Sequence, residues 1–219
     1  MDRSSVAIVI PAYNEAETIG EVVTAIIAHG LPIVVDDGSS DKTTAKAKAA
    51  GAIVVLHSVN AGYDAALNSG FARAAELSCA YVITMDADGQ HDPRVLPRVI
   101  AHLDRGADLV VGVRDRRQRV AEHLFAWLGY WRWGIQDPLC GLKGYRMALY
   151  RELGHFDAYH SIGTELAIFA ASHRKRLEQV FVVTRERRDA PRFGSRLNAN
   201  LKILRAMCYA LRPECVVPA

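Results

Sequence analysis

The chain has 219 residues, half of them hydrophobic and 23% charged, an ordinary balance for a soluble globular protein with enough length to bury a core. No apolar run approaches the ~18 residues of a membrane span, and four scattered cysteines without a CxxC pair fit a reducing cytosol better than a disulfide framework or a zinc site. The net charge of +3 conceals an asymmetry: residues 1–110 carry 8 Lys and Arg against 14 Asp and Glu, and residues 111–219 carry 19 against 10. An acidic half joined to an arginine-rich half predicts two chemically different binding surfaces.

The first half alternates strands and helices. The apolar run 6-VAIVI-10 reads as a strand, and residues 15–29 as a helix with Ile19, Val22, Val23, Ile26 and Ile27 on one face. A second short strand, 33-IVV-35, precedes a helix over 41–50 that Asp41 is placed to cap. Then come a strand at 52–57, a long helix at 61–78, a strand at 81–85, a helix at 93–105 opened by Pro93, and a strand at 108–113. The βαβα order, with strands apolar on both faces, predicts an α/β fold: a mostly parallel sheet covered by helices. Beyond residue 113 the pattern loosens into an arginine cluster, the aromatic segment 124-LFAWLGYWRWGI-135, a Gly-rich turn and further helices.

In such sheets ligands bind beyond the carboxyl ends of the strands. Three of those ends carry oriented polar groups: 11-PAYNE-15, 36-DDGSSD-41 and 86-DADGQ-90. The last raises the sharpest question, because a chain leaving a buried strand at once stacks carboxylates that repel one another. A hard divalent cation resolves it: Asp86 and Asp88 both reach one ion, Gln90 adds a neutral oxygen, and water and substrate phosphates complete the shell. An EF-hand needs Gly and Glu where His91 and Pro97 stand, and a DxDx[TV] phosphatase needs Thr or Val at Gln90. Helix capping accounts for Asp92 but not for Asp86 and Asp88. GxGxxG and GxxxxGK[ST] are both absent, so neither a dinucleotide fingerprint nor a P-loop is available. Instead Asp36 and Asp37 can accept from a base or ribose, Tyr13 can pack against a base, and Gly62 at a helix start favours an anion.

Taken together, PAYNEAETIG, VVDDGSSDKT, NAGYDAALNSG and MDADGQHDP, in this order and spacing, closely resemble the family-2 inverting glycosyltransferases. Within them the chain is similar to the dolichol-phosphate mannosyltransferase and polyprenyl-phosphate glycosyltransferase branch. Further matches are 112-GVR-114, 137-DPLCGLKGYR-146, Glu165 and 192-RFGSRLN-198, so the resemblance spans roughly residues 6–205. It implies a GT-A (Rossmann-like) nucleotide-sugar-binding fold in one domain over 1–219, with a donor and metal half at 1–113 and an acceptor half at 114–219. It implies that Pro11, Tyr13, Glu15, Asp36, Asp37, Gly62, Asp86 and Asp88 hold a UDP- or GDP-sugar, and that Asp86, Asp88 and Gln90 hold Mg²⁺ or Mn²⁺. Asp88, Arg114 and Arg192 are the expected catalytic residues, and Arg114, Arg117, Arg192, Ser195 and Arg196 the expected acceptor-phosphate site. Two departures concern the acceptor and the sugar: the Gly112–Asp137 stretch is shorter than usual, and Leu-Cys replaces the more common Thr-Ser before Gly141.

A polyprenyl phosphate arrives ionised and needs cations rather than a base, which suits the arginines. If the acceptor were instead a hydroxyl on a polysaccharide or glycolipid, Asp137 or Glu165 would have to be the base. A nucleotidyltransferase would want a Gly- and Arg-rich loop where PAYNE stands, and a non-catalytic sensor would not need Asp86 and Asp88. The Trp and Tyr of 124–135 suit a lipid interface. The stripe Leu197, Leu201, Leu204, Cys208, Leu211, flanked by basic residues, suits core packing, an anionic membrane or a dimer. The expectation is a cytoplasmic protein, peripheral on the membrane, without a nucleic-acid partner and open to homo-oligomerisation.

Overall fold

The computed structural model describes residues 3–117, 119–185 and 196–211, with Arg3 and residues 196–199 described by their backbone alone. Seven strands, β1 (Val6–Ala12), β2 (Leu31–Asp36), β3 (Ile53–Leu56), β4 (Tyr81–Thr84), β5 (Leu109–Arg114), β6 (Lys143–Arg146) and β7 (Leu177–Val182), form one sheet in the order β3-β2-β1-β4-β6-β5-β7. Every described pairing is parallel except those of β6, which runs antiparallel to both β4 and β5. The expected elements of the first half are all present, their ends shifted by a few residues: α1 (Ile19–Ile26), α2 (Thr43–Ala49), α3 (Tyr63–Glu76) and α4 (Leu96–Asp104). The N-cap of α2 is Lys42 and not Asp41 as expected; Asp41, one residue before it, accepts the Thr43 N–H at 2.9 Å.

Strand β1 explains why both faces are covered. Ala7 and Val9 join the core on one side, while Val6, Ile8 and Ile10 join the other. Helices α1, α2 and α4 close the second side through Val22, Val23, Ala47 and Leu103. Helix α3, with α5 (Val120–Trp133), α6 (Met147–Leu153), α7 (Glu165–Ser172) and α8 (Arg196–Ala210), closes the first. An aromatic knot of Phe71, Tyr145 and Phe156, with Phe71 and Phe156 stacked at 4.6 Å, joins α3 to β6 and the loop after α6.

Two features differ from the pattern-based reading. The Gly-rich turn runs directly into strand β6, and the aromatic segment is the second half of helix α5. On α5, Phe125 and Trp133 are buried, while Leu124, Trp127, Tyr130 and Trp131 are exposed, the last at 73%. Helix α8 packs against α5 through Ile203, Ala206 and Ala210, so Leu201, Leu204 and Leu211 face outward; the side chain of Leu197 lies outside the described ones. No helix among the described residues is long and apolar enough to cross a membrane.

Helix α3 lies so close to β1 that a Cβ on Gly70 would stand 2.2 Å from Val9 Cγ1. Gly70→Ala should therefore cost about 1–3 kcal/mol by overpacking, read as a lower denaturation midpoint in urea. An unchanged midpoint would mean that the helix rides higher over the sheet.

Candidate active site

The site begins where β1, β2 and β4 end side by side. The register pairs Ala12 with Asp36 and Val9 with Thr84, so β4 stops while β1 still has three residues to run. The loops after β1 and β2 are stitched together. Asn14, held at φ 54°, donates its N–H to Ser39 Oγ at 2.8 Å and accepts the Ser40 N–H at 2.9 Å. The Glu15 N–H donates to Thr43 Oγ1 at 2.8 Å. Both Asp36 and Asp37 are buried. Asp36 accepts the Ser39 N–H and the Thr44 hydroxyl and so braces its own loop. Asp37 Oδ1 lies 2.6 Å from His57 Nδ1 and accepts the Ala61 N–H at 2.9 Å, while Oδ2 accepts the Gly62 N–H at 2.8 Å. Tyr13, exposed at 40%, stands at the rim, with Pro11 half-buried behind it and Glu15 buried.

Beyond β4, Asp86, Asp88 and Gln90 are all half-buried. Asp88 Oδ1 accepts the Gln90 N–H at 3.0 Å, and the Gln90 carbonyl accepts the Arg185 N–H at 2.9 Å. Asp86 is framed by the Tyr63 hydroxyl, which donates to Oδ1 at 3.4 Å, and by His91 Nδ1, 3.7 Å from Oδ2. Burial raises the Tyr63 hydroxyl well above its ordinary pKa, and the Asp86 charge adds to that, so the hydroxyl keeps its proton. A Cβ on Gly141 would lie 2.1 Å from Asp86 Oδ2, so only glycine lets this carboxylate stand where it does. The Thr84 hydroxyl holds Gly141 there by donating to its carbonyl at 2.7 Å. Asp92 is the capping residue: hydrogen bonding to Arg94 lowers it to about 2.

The donor set suits a hard divalent cation. Among the described residues no group of three or more His, Cys, Asp and Glu forms a closed cage. Asp86, Asp88 and Gln90 would hold such an ion only with diphosphate oxygens and water completing its shell. Beside it the buried His91 Nδ1 has no hydrogen-bond partner among the described residues, an orphaned polar atom at the place where Asp86 turns.

The second half contributes cations that are largely paired. Arg114 grips Asp137 with Nε at 2.8 Å and Nη2 at 2.9 Å, and lies 3.5 Å from Glu122. Burial would lower its pKa, but the hydrogen bonds and charge of Asp137 outweigh that and raise it. Arg117 donates to the Gln136 carbonyl at 2.9 Å. Lys143 is buried and donates to the Gly163 carbonyl at 3.2 Å; burial lowers its pKa. Glu165 lies 2.7 Å from His155 Nε2 and accepts the Ala158 N–H at 2.6 Å. Arg192 and Ser195 lie outside the described residues, and of Arg196 only the backbone, at the start of α8, is described.

The profile of the Glycosyl transferase family 2 matches residues 7–181, about four-fifths of the chain. The chain belongs to that family. An uncharacterized protein of Methanocaldococcus jannaschii is 29% identical over 93% of this chain and 91% of its own length. An undecaprenyl-phosphate 4-deoxy-4-formamido-L-arabinose transferase of Edwardsiella ictaluri is 29% identical over 95% of this chain and 69% of its own length. Among solved structures, glucosyl-3-phosphoglycerate synthase of Mycobacterium tuberculosis in complex with Mn²⁺ and UDP-glucose superposes with a TM-score of 0.76. It is 27% identical, covering 98% of this chain and 80% of that one. The fold is therefore that of the GT-A glycosyltransferases, as the motifs implied.

Sequence reasoning missed several groups here: His57, Ser69, Tyr63, Asp64 and Gly141. Tyr63, Asp64 and Ser69 fall within NAGYDAALNSG and Gly141 within DPLCGLKGYR, but the motifs gave them no individual role, and His57 lies outside every motif; only their meeting across loops gives them one. Asp64 is the clearest case. It accepts the Gly163 N–H at 2.7 Å, tying the start of α3 to a turn in which Ile162, a β-branched residue, sits at φ 59°.

Burial, then the Asp157 charge, raises Asp64 from 3.8 to about 6. Its contribution to stability is thus fullest below about pH 4 and is lost as pH rises through about 6. Asp64→Asn keeps an amide oxygen for Gly163 and should gain on the wild type between pH 5 and 7.5, by about 1.4 kcal/mol. Thermal melts of both proteins across that range check this, and a pH-independent difference would refute it.

Proposed function

We propose that this glycosyltransferase moves a sugar, with inversion, from a UDP- or GDP-sugar onto a polyprenyl phosphate at a membrane surface. One observation carries the choice of acceptor. A hydroxyl acceptor must lose a proton to a carboxylate, yet both candidates are engaged: Asp137 is clamped by Arg114, and Glu165 by His155 and the Ala158 N–H. A phosphate acceptor needs no base. Its ionised oxygen attacks the anomeric carbon from the face opposite the diphosphate, the bond to the diphosphate oxygen breaks, and the nucleoside diphosphate leaves with that electron pair. No proton changes hands. The arabinose-transferring relative, named for an undecaprenyl-phosphate acceptor, supports the same choice.

In this reading residues 1–113 bind the donor and 114–219 the acceptor. Tyr13, Pro11, Glu15 and Asp37 border the nucleoside, Asp36 braces their loop, and Gly62, whose N–H holds Asp37, opens helix α3 at the same end. Mg²⁺ or Mn²⁺, as in the mycobacterial complex, would be held by Asp86, Asp88 and Gln90 and would neutralise charge on the departing diphosphate. Tyr63 and Gly141 orient Asp86 for that task. Arg114 holds Asp137 with Nε and Nη2 and keeps Nη1 for a phosphate oxygen; Arg117, Arg192, Ser195 and Arg196 are assigned to the acceptor on the strength of their motif.

The outward faces of α5 and α8 provide the membrane contact. Trp127, Tyr130 and Trp131 on one helix and Leu201, Leu204 and Leu211 on the other are apolar groups that water solvates poorly. Arg132, Lys202 and Arg205 are exposed beside them and match an anionic lipid surface.

The deciding assay compares polyprenyl phosphate with the corresponding alcohol, using a panel of UDP- and GDP-sugars with Mn²⁺ or with chelator. Transfer to the phosphate alone is expected, lost on chelation and reduced ~10²-fold or more in Asp88→Asn. Arg192→Ala should depress transfer far more than donor binding, and Glu165→Gln should remain active. Transfer to the alcohol, or a folded but inactive Glu165→Gln, would replace this reading with the hydroxyl-acceptor one. Flotation with anionic vesicles should carry the protein upward, and Trp127→Ser with Trp131→Ser should abolish this. A wild type that stays at the bottom as a dimer would assign the face to a second copy of the chain.

A further inference from the structure

One polar network in the donor half contains no residue given a part in the proposed function except Asp37. His57, at the end of β3, points Nδ1 at Asp37 Oδ1 from 2.6 Å and Nε2 at Ser69 Oγ, on α3, from 2.8 Å. We infer that His57, backed by Ser69, is a positioning residue that turns Asp37 into a selector for the donor's base. The inference rests on the nucleotide-sugar reading above and adds the residue that gives the reading its base preference.

The argument is a count of lone pairs. An ionised carboxylate accepts at about four positions and donates at none. Among the described residues Asp37 fills three: Oδ1 takes His57 and the Ala61 N–H, and Oδ2 takes the Gly62 N–H. One position on Oδ2 remains. Because the carboxylate accepts only, a neutral His57 must carry its proton on Nδ1, so Nε2 accepts and the Ser69 hydroxyl donates. Ser69 therefore fixes the tautomer, the tautomer fixes the carboxylate, and the last acceptor position has one direction.

A single fixed acceptor reads polarity. Uracil N3–H and guanine N1–H both offer a ring donor. Cytosine has uracil's size but presents a bare ring nitrogen at the same place, which leaves two acceptors facing each other. Sites built around one buried polar partner reject the analogue lacking it strongly.

The measurement is calorimetric titration of UDP, GDP and CDP, with Mn²⁺, into the wild type, His57→Asn, His57→Gln, Ser69→Ala and Asp88→Asn. The wild type should prefer UDP or GDP to CDP by ~10-fold or more. The Asn amide nitrogen mimics Nδ1 and should restore most of that preference. The Gln amide mimics Nε2 instead and should lose it, and Ser69→Ala should reduce it. Asp88→Asn should weaken all three nucleotides together without changing their ratio. A packing role for His57 would not distinguish Asn from Gln, so equal behaviour of those two folded variants, or an unchanged ratio in Ser69→Ala, overturns the inference and leaves the proposed function standing. A wild type that binds none of the nucleotides overturns both.

Discussion

The register between β1 and its two neighbours is the constraint on which the site depends. Because β4 ends opposite Val9 while β1 and β2 run on to Ala12 and Asp36, the chain leaves the sheet at β4 three residues short of the end of β1. Five carboxylates lie at or just beyond the ends of these strands: Glu15, Asp36, Asp37, Asp86 and Asp88. Like charges at such density would oppose folding. In the donor loops, Asp36 and Asp37 are satisfied mainly by backbone N–H groups, hydroxyls and His57. Bonds of that kind pin a carboxylate without covering it with a cation, so a bound ion or substrate does not have to displace a lysine or arginine first.

The antiparallel strand β6 supplies the other wall. Its pairing sets Lys143 opposite Thr84, which delivers Gly141 to Asp86 and carries Asp137 and Cys140 in behind it. Burial pushes the Cys140 thiol up to about 12, so it serves as packing and not as a nucleophile. The same segment lets Arg114, at the end of β5, reach Asp137. The segment inserted between two parallel strands thus sets Gly141 against Asp86 at one end and gives Asp137 to Arg114 at the other.

The parallel half of this fold was legible because its strands are continuous apolar runs and its helices periodic. The strand-end rule then put PAYNE, DDGSSD and DADGQ together without any coordinates. Strand β6 was not legible for the opposite reason. Lys143–Arg146 is four residues long and contains a glycine and two cations; it is a strand only because β4 and β5 both pair with it. His57, Ser69 and Tyr63 were hidden by type: in the sequence each is an ordinary loop or helix residue, and distance alone reveals its partner. Arg114 and Asp137 were each singled out, but their pairing, which decides what either can do, was not.

Helix α8 brings the charge asymmetry and the surface into one account. A helix facing water on one side needs a single apolar stripe, and Ile203, Ala206 and Ala210 already provide it against α5. Leu201, Leu204 and Leu211 form a second stripe that packing against the described residues does not explain. The aromatic rings of α5 repeat the same excess, with Trp127 and Trp131 stacked in parallel at 6.5 Å on the outside. Exposed apolar groups with basic neighbours are a poor surface against water and a good one against anionic lipid. The acidic half of the chain places five of its carboxylates at the strand ends, and the basic half spends Arg114 and Arg119 on Asp137 and Glu122. Arg132, Lys202 and Arg205 are exposed on α5 and α8 and border the surface through which, on the proposed reading, a lipid phosphate would arrive.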